Sequence, residues 1–109
     1  HVGHLEFVLD KESGLLTAYV LDGEAENPVR IPDPSFEVAI DVDGANPFVA
    51  TLNAVENALA GETVGDTSEF NATLEGLVGV ESFKGVVASV TFKGVAMTNI
   101  AFNYPEGEQ

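Results

Sequence analysis

The chain has 109 residues, with eighteen Asp and Glu against four Lys and Arg, a net charge of −14, and neither Cys nor Trp. That describes one small acidic domain with room for a single core. An apolar fraction of 45% against 20% charged excludes global disorder. The missing cysteines exclude thiol catalysis, disulfide staples and Cys-ligated zinc.

The longest apolar stretches run about seven residues, against the ~20 that a membrane-spanning helix needs, so the domain is not expected to be membrane-embedded. Lys11, Arg30, Lys84 and Lys93 are scattered, so no basic patch forms and nucleic acid is not an expected partner. The acids are equally dispersed, the densest group being Glu24 and Glu26. They read as a solvated anionic surface. Any export signal is expected to have been removed ahead of His1, with a lipid anchor possible upstream. Residues 1–109 are expected to form one domain with frayed ends at 1–4 and 105–109.

The dominant periodicity is two. Leu5, Phe7 and Leu9 share one face of a first strand, and residues 10–14 supply a turn. Residues 15–21 are apolar on both faces, which suits a central strand. Pro28, Pro32 and Pro34 confine Val29, Arg30 and Ile31 to a crossover at the sheet edge. Phe36, Val38, Ile40 and Val42 alternate with outward Glu37 and Asp41. After a turn at residues 43–47, Phe48, Ala50 and Leu52 form the returning strand.

Residues 53–61 fit either loop or a short helix, because Leu52, Val55 and Leu59 also match helical spacing. Residues 61–68 are polar loop, and Phe70, Ala72 and Leu74 alternate as a strand. Leu77, Val80 and Phe83, at spacing three, predict a helical turn over residues 75–84 that caps the core. The last hairpin puts Val86, Ala88, Val90 and Phe92 on one face. Lys93-Gly94 is its two-residue turn, and a final strand follows over residues 95–102. The predicted fold is all-β: an antiparallel immunoglobulin-like or prealbumin-like β-sandwich of about seven strands with one short helical turn.

Three segments carry a family resemblance: HLEFVLDKESGLLTAYVLD (residues 4–22), GETVGDTSEF (61–70) and GVVASVTFKGVAM (85–97). Together they resemble the small extracytoplasmic β-sandwich domains of bacterial, planctomycete-type lipoproteins and the N-terminal domains of some heavy-metal efflux adaptor proteins. The start reads His1-Val2-Gly3-His4 where the family reads His-Gly-Gly. The resemblance implies export to the periplasm or cell surface and a link to metal-ion homeostasis.

Candidate chemistry is sparse. His1, His4 and Glu6 could ligate Zn²⁺, Cu²⁺ or Ni²⁺ if the chain turned at Gly3. Asp41 and Asp43 offer hard oxygens for half of a Ca²⁺ site. Asn46 and Leu52 stand where an EF-hand loop needs its Gly and Glu. Asn71-Ala72-Thr73 matches a glycosylation sequon in mid-strand and carries no assigned role. Both imidazoles lie where little orients a general base, and the Gly-rich residues 76–85 lack the Lys-Ser/Thr of a phosphate loop. No enzyme is expected and no cofactor is required; a weakly bound divalent cation is the one optional ligand. The expected function is a non-catalytic extracytoplasmic accessory or binding module of a lipoprotein. The alternative is an immunoglobulin-like structural or adhesion module that binds another protein by a sheet edge or loops.

Overall fold

A computed structural model describes residues 3–24 and 27–105. The expectations for His1, Glu26 and the tail 106–109 lie outside these residues. Seven strands are present: β1 (His4–Asp10), β2 (Leu15–Leu21), β3 (Ser35–Asp41), β4 (Phe48–Ala54), β5 (Glu69–Thr73), β6 (Phe83–Phe92) and β7 (Val95–Tyr104). They form one antiparallel sheet in the order β1-β2-β5-β4-β3-β6-β7, curled until it nearly closes. None of the described helical segments is long and apolar enough to cross a membrane.

Alternation builds most of this. Phe36, Val38 and Ile40 of β3 are buried while Glu37 and Asp41 are exposed. Across the ladder, Ala50 and Leu52 of β4 are buried too. The two-residue period sends every second side chain inward. Leu16, Val20, Val38, Ile40, Leu52, Phe70 and Val87 form the centre of the core. The Phe36 and Phe70 rings pack there at 4.9 Å with a tilt of 53°, a favourable aromatic arrangement. The proline-bracketed stretch crosses over, as expected. Val29 and Ile31 donate their N–H groups to the Val20 and Thr67 carbonyls, both at 2.9 Å, and Ile31 is buried.

The β3–β6 ladder spans only Val38↔Val87 to Asp41↔Lys84. Higher up, Thr91 of β6 finds no strand on that side among the described residues. Its N–H donates instead to both carboxylate oxygens of Asp33, at 3.2 Å each.

One open reading is settled and two expectations need correction. Residues 53–61 take the loop alternative once Asn53 and Ala54 complete β4, since Val55 donates to the Glu69 carbonyl at 2.9 Å and Asn57 bridges Glu62. Tertiary pairing overrides a weak helical spacing. The helical turn is present but short, a 3₁₀ turn over Glu75–Leu77 that buries Leu77. Phe83 belongs to β6.

The second correction concerns the last hairpin. Val87 is the buried residue, while Val86 and Ala88 are exposed and Val90 and Phe92 are buried. Burial therefore changes phase between Ala88 and Ser89, although the pairing offset is the same at Val87↔Ile100 and Ser89↔Thr98. Asn99, opposite the break, has φ 53°, a left-handed conformation that Asn tolerates. It turns β7 over at that level. The turn itself is as expected: Lys93 (φ 50°) and Gly94 (φ 82°) are both left-handed, which a type I′ hairpin requires.

Candidate functional site

The sheet ends at β1 and β7. In a seven-strand order with every ladder antiparallel, the first and last strands point the same way. They lie beside one another, joined by side chains and by no ladder between described residues. The Phe7 and Phe102 rings stack at 3.9 Å and 6°. Two residues further along each strand, the Leu9 N–H donates to the Tyr104 hydroxyl oxygen at 3.3 Å. Phe83 supports both β7 rings, edge-on to Phe102 at 5.9 Å and stacked on Tyr104 at 5.3 Å.

Gly85 makes this closure possible. It pairs with Phe102, and a methyl group on it would overlap the Phe102 ring. The left-handed Asn99 matters too, since the change of phase turns Ile100, Phe102 and Tyr104 towards the core.

At the other end the seam opens into an apolar cleft of about 160 Å³. Leu5, Met97, Ile100 and Phe92 form its walls, and the buried Val20 and Ile31 its floor. A volume of that order takes one branched or aromatic side chain. Outside the seam, Glu6, Tyr19 and Glu69 form a row across β1, β2 and β5. Burial pushes the Tyr19 phenol above its usual value, and the carboxylates of Glu69 and Glu6 push in the same direction, since each disfavours phenolate. In a spectrophotometric titration Tyr19 should ionise above pH 10, and Glu69→Gln should bring it down. An unchanged midpoint in that variant would refute the carboxylate contribution.

The sequence-predicted ligands fall in two places. His4 and Glu6, two apart on β1, share its outer face; His1 is outside the described residues. Asp41, at the end of β3, and Asp43, in the following turn, are both exposed. They border a polar pocket of about 180 Å³ with Ser82, Lys84 and Asn103. Lys84 is the ladder partner of Asp41, which places a cationic residue in that row. Among the described residues no three His, Asp or Glu side chains converge as a metal site.

One feature of the polar loop escaped the sequence reading. Glu62 is buried and accepts hydrogen bonds from the Thr67 hydroxyl (3.0 Å), the Ser68 N–H (3.3 Å) and the Ser68 hydroxyl (2.8 Å). The Arg30 Nε lies 3.6 Å away. Burial alone would raise the Glu62 pKa, but the Ser68 and Thr67 hydrogen bonds and the Arg30 charge together bring it below its ordinary value. Arg30 also bonds the Gly61 and Ala60 carbonyls and Asp66. This network fastens residues 60–68 to the crossover. The available signal was a Glu followed five and six residues later by Thr and Ser, which is common in loops.

No protein-family model, no curated protein and no solved structure matches the chain.

Proposed function

We propose that the chain is a non-catalytic, extracytoplasmic binding module with an immunoglobulin-like sandwich arrangement, and that it engages another protein along the β1/β7 seam. The observation that carries the binding reading is the seam itself: two strand edges unjoined by a ladder, one end opening into an apolar cleft. Unpaired edges are ready templates for another chain.

The sandwich reading is supported by uneven pairing. β4 and β5 share only Asn53↔Asn71 and Ala54↔Phe70, so the sheet tends to divide into β1-β2-β5 and β4-β3-β6-β7. That order follows the Greek-key logic of immunoglobulin-like domains. Export and a place in a lipoprotein rest on the resemblance of residues 4–22, 61–70 and 85–97 to extracytoplasmic domains.

A photo-crosslinking residue substituted at Met97, in cells that make the protein, should give a discrete adduct with one partner protein. An adduct from Val49, on the opposite outer face, with none from Met97 would move the binding surface away from the seam and overturn the proposal.

A further inference from the structure

We propose that Glu62 is a positioning residue for the apolar cleft: through Thr67 and Ser68 it holds the floor residues Ile31 and Val20 at the depth that lets the cleft take one apolar side chain. This rests on the reading of the cleft as the binding end of the seam, and adds what sets its shape.

The floor is held from one side. The β2–β5 ladder stops at Tyr19↔Glu69, and just beyond it the Val20 N–H donates to the Ser68 carbonyl at 2.8 Å. Ile31 lies in the crossover, outside every named strand. Among the described residues its backbone pairs with Thr67 alone, giving its N–H to the Thr67 carbonyl at 2.9 Å and accepting the Thr67 N–H at 3.3 Å. Pro32, which follows, has no N–H to add. Residues 67 and 68 therefore carry both floor residues.

Those two residues converge on one carboxylate. Glu62 Oε1 accepts the Thr67 hydroxyl and the Ser68 N–H, and Oε2 accepts the Ser68 hydroxyl. Arg30, the residue before Ile31, ties the crossover to the same point through Glu62 and Asp66. Without the carboxylate the buried Ser68 donors must find other acceptors, and any shift of residues 67–68 is passed to the floor. A retreat of about 0.5–1 Å already forfeits a quarter to a half of the dispersion energy at that wall.

Protonation acts in the same direction as removal. Arg30 faces the carboxylate from the crossover and Asp66 shares Arg30 from the loop. Glu69 reaches the cluster by its N–H, which donates to the Thr67 hydroxyl oxygen. The remaining bonded residues, Val55, Asn57, Thr67 and Ser68, are uncharged.

Xenon is the probe, because apolar cavities of this order take it. Methyl-labelled protein is titrated with xenon and read at Leu5, Ile31, Met97 and Ile100, which should shift in the wild type. Glu62→Gln should weaken xenon binding about fivefold. Gly14→Ala, which loosens the β1–β2 turn at the far end of β1, should leave it unchanged and so controls for lost stability. In the wild type, taken from neutral pH to about pH 3, xenon affinity should fall with the midpoint at which the Glu62 carboxyl carbon titrates. Saturating xenon should in turn move that midpoint down, since the coupling is reciprocal. This profile decides the matter if Glu62→Gln fails to fold.

Unchanged affinity in Glu62→Gln, an equal loss in Gly14→Ala, an affinity constant through the Glu62 titration, or no methyl shift in the wild type overturns the proposal. The Met97 crosslink tests the binding reading separately. An adduct with a xenon affinity indifferent to Glu62 refutes the positioning role alone, and a xenon effect of Glu62 with no adduct refutes the protein partner alone.

Discussion

Replacing Glu62 with alanine should lower stability by about 2–3 kcal/mol at neutral pH, since breaking a buried hydrogen-bonded charge strands its partners. For a domain of this size that corresponds to a fall in melting temperature of roughly 10 °C. The substitution leaves the Ser68 hydroxyl and N–H without their shared acceptor and Arg30 without one of its two carboxylates, while the Thr67 hydroxyl keeps the Val55 carbonyl at 2.8 Å. Arg30 is 40% exposed, so water recovers part of its loss, and the larger cost falls on the buried donors.

The pH dependence has a definite sign. The carboxyl of Glu62 is more acidic in the folded chain than its ordinary value of 4.5. Its stabilisation is therefore complete above that value and is lost as the pH falls through the folded pKa. Urea unfolding at pH 7 and again near pH 3 should show the gap between wild type and Glu62→Ala narrowing in acid. A gap of equal size at both pH values would show that the carboxylate charge contributes nothing. Glu62→Gln should lie between the two proteins at pH 7, because the amide keeps the volume and one acceptor.

Gly14→Ala should cost about 3 kcal/mol, combining left-handed backbone strain with overpacking. Gly14 closes the β1–β2 turn at φ 80°. Its N–H donates to the Asp10 carbonyl at 2.8 Å and its carbonyl accepts from the Leu74 N–H at 2.9 Å. A methyl group there would overlap the Leu74 carbonyl oxygen and stand 3.1 Å from a Val78 methyl. Backbone cannot swing aside as a side chain can, so β1–β2 would have to separate from the segment after β5.

Gly44 is the internal control. It has φ 81° but nothing within 4 Å of an added methyl, so Gly44→Ala should cost only about 1 kcal/mol, the conformational part alone. Equal losses for the two variants, measured by chemical denaturation, would show that the Leu74 contact carries no weight.

What the sequence disclosed followed its period. β1, β3, β4 and β5 each turn one face to the core, and alternation alone located them. The Lys93-Gly94 turn was legible because only a few residue types accept left-handed angles at both positions. Strict alternation mislays the face of β6 because burial changes phase within β6 between Ala88 and Ser89, level with the left-handed Asn99 of β7. Asn at mid-strand carries no unambiguous mark of such a kink. The 53–61 window stays open in the sequence because Leu52, Val55 and Leu59 fit helical spacing, while the contacts that hold it as a loop, Val55 to Glu69 and Asn57 to Glu62, leave no periodic mark.

The candidate site was less legible. The seam depends on strand order, which arises from pairings between distant segments, such as β2 with β5 and β3 with β6. No local pattern encodes that order. Nor did the scattered Phe7, Phe102 and Tyr104 suggest that they meet.

The Asp33 carboxylate on the Thr91 N–H bears on self-association. Where β3 gives out, the upper part of β6 would offer bare amide groups to any passing chain, and such edges seed aggregates. Asp33 occupies that position with a charged group, which covers an amide donor and repels other copies of an acidic protein. One of the molecule's openings is thus barred by charge while the β1/β7 opening is not. This placement would let the protein remain dispersed at high concentration.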